Sequence, residues 1–313
     1  MGITLLSEKP KIDIKSEELR KIIRYDSDGL PIFPAFINGE WYYGNGEYII
    51  INTPIDLSPI AKVPKVQYEV VEKEIDRLYN ERFNAKNYPG YLRVEKLLKT
   101  VELLERYSED FEKDLMQKNY PGYLRVEKLL KTVELLERYS EDFENLLIIN
   151  TGKTRKQALG EIESTLNRIK NIEIDYRKTV GDYLSGEFSQ DYLESEGIIK
   201  REPLGLLLAI TPFNYPLFDS VNKIIFSLLP GNTLIIKPPS LDPLPVILYI
   251  KLLELTGFPM KYISLITIPG KDMNKITPNK KISSIIFTGS TETGEEIIKN
   301  SGIKQYLMEL GGG

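Results

Sequence analysis

The 313 residues contain no cysteine and no histidine. Without cysteine there is no disulfide and no thiolate nucleophile. Without histidine the commonest general base and the commonest metal ligand are gone, and with them every hydrolytic triad that depends on imidazole. Long apolar runs are missing too. Nothing approaches the roughly twenty apolar residues of a membrane span, and the segment MGITLLSEKPKIDIKSEELRK is too polar for a secretory leader. A cytoplasmic protein without membrane contact is the expectation. A surplus of positive charge is also lacking. The formal net charge is −4 and no basic stripe is visible, so nucleic acid is not an expected partner.

With 42% apolar residues the chain can bury a sizeable core, enough for one large or two medium domains. Its most unusual internal feature is a perfect repeat: Lys86–Glu112 recurs unchanged as Lys118–Glu144. Two identical copies do not make a solenoid, which keeps only a pattern between units and needs about three of them to bury a continuous core. In the first copy Val94, Leu97, Leu98, Val101 and Leu104 recur at helical spacing, with Glu95, Lys99, Glu102 and Arg106 opposite them, and the second copy does the same from Val126. Each copy therefore reads as an amphipathic helix. Pro-Gly at 89–90 and again at 121–122 prevents one unbroken rod, because Pro121 removes an amide donor and biases the preceding residue away from helix, so two helices with a break near Gln117–Pro121 are expected. One extra period looks inserted between ERFNA, before the first copy, and NLLIINTGKTRKQALGEIE, after the second.

Upstream of the repeat, FINGEW and YIIINTPIDLSPIAKV read as edge strands around a turn, and downstream Glu161–Tyr176 continues as helix. From Leu204 the pattern becomes βαβ: strand LGLLLAI, helix around Phe218–Leu229, strand TLIIK, helix over Pro245–Thr256 ending near Gly257, strand ISLITI, then SSIIF. Short apolar strands alternating with helices predict an α/β fold, a Rossmann-like parallel sheet covered by helices on both faces. After Phe287, Thr288-Gly289-Ser290 forms a tight turn and Thr291 opens a helix, which sets a helix N-terminus at the carboxyl edge of the sheet, suited to a pyrophosphate. The bland alternative is a turn that uses Gly289 for a positive φ. No GxGxxG is present. Lys237 ends the strand TLIIK and precedes Pro238-Pro239-Ser240, either as a ligand contact or as a solvated lysine.

Four segments, ITPFNYP (210–216), KPPS (237–240), FTGSTETG (287–294) and MELGG (308–312), stand in an order and spacing that resembles the aldehyde dehydrogenase superfamily. Within it, PFNYPLFDSVNKI, TPIDLSPIAKV, GDYLSGEFSQDYLESEGIIKREPLG and KQYLMELGGG look most like archaeal non-phosphorylating glyceraldehyde-3-phosphate dehydrogenases. The resemblance implies NADP as cofactor, with NAD possible, and a small aldehyde as substrate. It implies glycolytic oxidation of glyceraldehyde-3-phosphate to 3-phosphoglycerate, and a homo-oligomer, dimer or tetramer.

By that resemblance Asn214 donates to the oxyanion and Glu309 is the base that activates the hydrolytic water. Thr211, Phe213, Lys237, Ser240, Gly289 and Ser290 hold the cofactor, and Tyr215 lies near the substrate phosphate unless it is simply a core aromatic. Ser240 occupies a position where many NAD-preferring relatives carry a glutamate, and so leaves room for a 2′-phosphate beside Lys237. Residues 1–178 and 201–309 would form the dinucleotide-binding domain and 179–200 an oligomerisation arm. The family's cysteine nucleophile and its catalytic domain lie beyond Gly313, so the 313 residues alone are expected to oxidise no aldehyde. The competing readings are a dinucleotide-binding module that works by binding alone, and a non-functional gene remnant.

Overall fold

The computed structural model describes residues 10–105, 140–171, 174, 181–185, 191, 194–256 and 258–311. A short helix α1 (Glu17–Arg20) precedes strands β1 (Arg24–Tyr25), β2 (Pro31–Ile32), β3 (Ala35–Ile37), β4 (Glu40–Tyr42), β5 (Tyr48–Asn52) and β6 (Pro59–Pro64). Helices α2 (Tyr68–Asn87), α3 (Gly90–Glu105), α4 (Ser140–Thr151) and α5 (Arg155–Lys170) follow, then a ribbon of β7 (Asp182–Ser185) and β8 (Glu196–Ile199). The last part alternates: β9 (Leu206–Ile210), α6 (Pro216–Leu228), β10 (Thr233–Lys237), α7 (Leu244–Leu255), β11 (Ile263–Leu265), β12 (Ile282–Thr288), α8 (Thr291–Ser301) and β13 (Gln305–Glu309).

The main sheet runs β13-β12-β9-β10-β11-β3-β4. Its first five strands are mutually parallel. The expected parallel sheet is therefore present, and the hairpin β3–β4 extends it antiparallel through Leu265↔Phe36. The strands upstream of the repeat thus do two jobs: FINGEW joins the main sheet, whereas β5 and β6 build a separate sheet of order β1-β2-β6-β5.

Strand alternation distributes the core over two faces. Leu207 and Ala209 of β9 and Leu234 and Ile236 of β10 meet one apolar cluster, packed by α3, α4, α5, α6 and α7. Leu206, Leu208 and Ile210 face the other, packed by Val71, Ile75 and Leu78 of α2 and Ile297 of α8. Each fully buried aliphatic side chain contributes about 1.5–3 kcal/mol. Helix α7, LPVILYIKLLEL, is apolar almost all round because it is almost entirely enclosed. Helix α5 starts on a capping box, with the Thr154 hydroxyl accepting from the Gln157 amide and the Gln157 side chain accepting from the Thr154 amide.

The repeat is used in a composite way. Pro89 separates α2 from α3, and Val94 and Leu97 of the first copy enter the core. The last five residues of the second copy, Ser140–Glu144, open α4, where Phe143 is fully buried. The expected break near Gln117–Pro121 lies outside the described residues, as do most of the second copy and Gly257. Helix α5 ends at Lys170, earlier than the expected Tyr176, most of the remainder again lying outside the described residues.

Candidate functional site

In chain order the parallel strands add first to one side of β9, as β10 and β11, and then to the other, as β12 and β13. The loops leaving β9 and β12 therefore diverge, and the crevice beyond their carboxyl ends is where such sheets bind ligands. Register aligns the exits: Ile210 lies beside Lys237 on one flank and Phe287 on the other, and Thr288 lies beside Glu309. The loops beginning at Thr211, Pro238 and Gly289, together with Glu309, leave one edge of the sheet side by side.

Lys237 is 5% exposed, which overturns the solvated-lysine alternative. Its ammonium donates to Ser240 Oγ at 2.8 Å, and no carboxylate pairs with it among the described residues. Burial lowers its pKa to about 8. A buried cation held by a single hydroxyl lacks a counter-charge, and an anion at Ser240, which is itself exposed, would supply one.

The turn after β12 is tight for a reason other than the one considered from sequence. Gly289 has no positive φ. A Cβ there would stand 2.4 Å from the Phe287 ring, so the ring beneath it excludes a side chain. The Gly289 amide donates to the Glu309 carbonyl at 3.1 Å. Ser290 caps α8: its Oγ accepts from the Thr293 amide at 3.3 Å. The remaining first-turn amides of α8 open at the sheet edge, an arrangement suited to an anion.

Glu309 ends β13. Its carboxylate accepts from the Thr288 hydroxyl and, at 3.0 Å, from the ammonium of Lys223. The Thr288 bond first, and then Lys223, hold its pKa below the usual carboxylate value. Sequence reasoning missed Lys223. The available signal was a lysine inside LFDSVNKIIFSLL, where α6 is buried on most sides.

The loop after β9 is arranged around α6. Thr211 is buried, accepting from Ser220 Oγ at 3.0 Å and donating to the Lys237 carbonyl at 3.4 Å, so its hydroxyl ties β9 to β10 instead of facing the crevice. Phe213, Asn214 and Tyr215 are exposed. Tyr215 is 50% exposed and is not a core aromatic. Asn214 Oδ1 accepts from the Tyr215 amide at 3.1 Å, which turns its NH₂ away from the backbone. Tyr215 offers α6 no side-chain cap. Instead Glu161 of α5 accepts from the amides of Leu217 (2.9 Å) and Phe218 (3.1 Å), a cap supplied by a neighbouring helix. Lys153 pairs with Glu161 and also stands 4.2 Å from the Tyr215 ring centroid. Desolvation raises the pKa of Asp219, one turn into α6.

What this edge can do follows from its parts: a buried, uncompensated ammonium, a helix N-terminus, an exposed carboxamide, and a carboxylate held ionised between two donors. Among the described residues no group of acidic side chains could hold a metal ion, and no helix is long and apolar enough to cross a membrane.

The chain is similar to known proteins over most of its length. The chain is 36% identical to betaine aldehyde dehydrogenase of Bacillus subtilis over 88% of its own length and 50% of that protein. It is 33% identical to the D-glyceraldehyde dehydrogenase (NADP(+)) of Picrophilus torridus, over 53% of this chain and 34% of that one. Among solved structures, the NADP complex of the NADP-dependent glyceraldehyde-3-phosphate dehydrogenase of Bacillus halodurans superposes with a TM-score of 0.72 at 27% identity. That match covers 89% of this chain and 52% of that one. The chain thus spans about half the length, or less, of the relatives it matches. The aldehyde dehydrogenase family profile matches residues 116–313, well over half of the chain, and the chain belongs to that family.

Proposed function

We propose that this chain is the cofactor-binding part of an NADP-dependent aldehyde dehydrogenase acting on glyceraldehyde-3-phosphate. The observation that carries the reading is the joint placement, on one sheet edge, of the ionised Glu309 and the uncompensated Lys237. Relatives named for NADP and for glyceraldehyde support the finer part of it.

Lys237 and Ser240 fit a 2′-phosphate: one brings unmet positive charge, the other a hydroxyl, and neither carries a carboxylate that would repel it. The α8 N-terminus at Ser290 fits the pyrophosphate. A dinucleotide held there would supply the hydride acceptor that aldehyde oxidation needs. Asn214, with its NH₂ free of the backbone, suits the role of neutral donor to a carbonyl oxygen as negative charge develops there. Glu309, ionised and half exposed, is placed to take a proton from water, with Lys223 fixing its orientation from below. Phe213 would lie along the cofactor and Tyr215 near a substrate phosphate. The thiolate this chemistry needs is not among the 313 residues.

The same reading assigns residues 1–178 and 201–309 to the dinucleotide-binding domain and 179–200 to subunit pairing. In the β7–β8 ribbon Tyr183, Leu184, Ile198 and Ile199 are all exposed, an apolar surface that a second copy would cover. Calorimetric titration tests the core of the proposal: NADP is expected to bind, and NAD more weakly. No heat with either dinucleotide would overturn it.

A further inference from the structure

The loop that carries Ser240 is closed two residues later by an unusual carboxyl group. Asp242 is 6% exposed, and no cation forms an ion pair with it among the described residues. The charged groups facing it are Lys153, from the turn between α4 and α5, and Glu161 of α5, and Lys153 is already bound to Glu161. A bare carboxylate in such a place is costly, and burial accordingly pushes the Asp242 pKa up to about 7.

The polar side chain that reaches Asp242 is Asn150 of α4. Its Nδ2 donates to the Leu241 carbonyl at 3.1 Å and to Asp242 Oδ1 at 3.3 Å. The Leu241 contact fixes the orientation of the amide, because a flipped amide would set oxygen against oxygen. Asn150 Oδ1 is thereby left buried and without a donor. An acceptor lacking a proton and a buried carboxyl lacking a cation answer one another: a carboxylic acid at 242 supplies the missing donor and sheds its charge.

We propose that Asp242 and Asn150 form a neutral acid–amide pair that holds the Lys237–Ser240 loop in its anion-accepting shape, which makes both of them positioning residues for the ribose-phosphate end of the site. The inference rests on the reading of Lys237 and Ser240 given above. Pro238, Pro239 and Pro243 leave the loop few free torsions, so an anchor at 242 transmits to Ser240. Loss of the proton sets a carboxylate among acceptors and releases the anchor.

The probe is adenosine 2′,5′-bisphosphate, which lacks the nicotinamide, titrated calorimetrically from pH 5.5 to 8.5. Asp242→Asn is the control, since an amide at 242 can donate to Asn150 at every pH. The bisphosphate's own ionisation near pH 6 and that of Lys237 act in both proteins and cancel in the ratio of dissociation constants. That ratio, parent to variant, is expected to be near one at pH 5.5 and to rise up to about thirty-fold at pH 8.5. Asp242→Ala should bind more weakly than Asp242→Asn throughout. Carbon-13 NMR of the Asp carboxyls, with Asp242 assigned by its loss in the variant, should give a midpoint near 7. A midpoint in the ordinary carboxylate range overturns the pair, and a ratio flat with pH overturns its positioning role. If the parent does not bind the bisphosphate at all, the cofactor reading itself falls, and the NMR midpoint still decides the pair.

Discussion

Lys223 Nζ and Glu309 Oε2 stand 3.0 Å apart, with the lysine side chain 5% and the glutamate 51% exposed. The buried partner is the cation, so the pair has a fixed end in α6 and a free end toward the crevice. Glu309 also accepts from Thr288, and that bond contributes most to its lowered pKa. Both Thr288→Val and Lys223→Met should raise the Glu309 pKa, the former more, as read by carbon-13 NMR of the carboxyl. The sign follows from the depression: the stabilisation is present above the unfolded carboxylate pKa and is lost as pH falls through the lowered folded value. A Glu309 midpoint unmoved in both variants would show that neither contact persists in solution.

Lys237 has the opposite linkage. Its folded pKa of about 8 lies below that of an unfolded lysine, about 10.4. Burial of the charge is therefore a full penalty below pH 8, relieved as pH rises toward 10.4. Lys237→Met is expected to stabilise the unliganded protein at pH 7, by at most about 3 kcal/mol, with the gain shrinking to less than about 1 kcal/mol at pH 10, while NADP affinity falls. Urea unfolding at the two pH values checks it. A variant less stable than the parent at pH 7 would mean that the ammonium is not desolvated as described.

Ser240→Glu should erase most of the preference for NADP over NAD, because a carboxylate there repels the 2′-phosphate and accepts from the ribose hydroxyls instead. A charge-assisted hydrogen bond contributes about 1.5–3 kcal/mol, so the parent should favour NADP by roughly ten- to a hundred-fold. An unchanged ratio of the two affinities in Ser240→Glu would remove Ser240 from the specificity argument.

Helix α3 comes from the first copy of the repeat and the first turn of α4 from the end of the second. Because the copies are identical, excising Lys86–Gln117 yields the same sequence as excising an equally long window begun anywhere in the first copy. One variant therefore covers every choice of boundary. It should keep its thermal midpoint and self-associate less, since one set of Val and Leu side chains fills one groove. A lower midpoint or more aggregation, by calorimetry and light scattering, would make the extra period a structural element.

Much of the main sheet was legible in the sequence, and the reason is burial on both faces. TLIIK has an apolar centre, Leu234–Ile236, between polar ends and turns, and it forms β10 over the same five residues. ISLITI yields only Ile263–Leu265 as strand, because Thr267 turns away to donate to the Pro64 carbonyl. No local pattern marks that bond. The pairing of β3 with β11, and the separate sheet of β1, β2, β5 and β6, depend on contacts distant in sequence and left no periodic trace. At the candidate site, Lys237 and Ser290 could be singled out from sequence because turns and strand ends carry their own chemistry. Lys223 and Glu161 were not singled out, since a charge inside a helix reads as a solvated face until its neighbours are known, and Lys153 was not, since a lysine in a turn reads as solvated too.

Strand position gives the crevice unequal stiffness. Lys237 sits on β10, laddered on both flanks, whereas Glu309 sits on β13, the outermost strand among the described residues, where it is laddered only to β12. Amide protection should therefore be deep around Lys237 and shallow around Glu309. The anion-holding end is a rigid seat. The carboxylate end is compliant, so any chain that pairs along the open side of β13 would shift Glu309 directly while leaving Lys237 where it is.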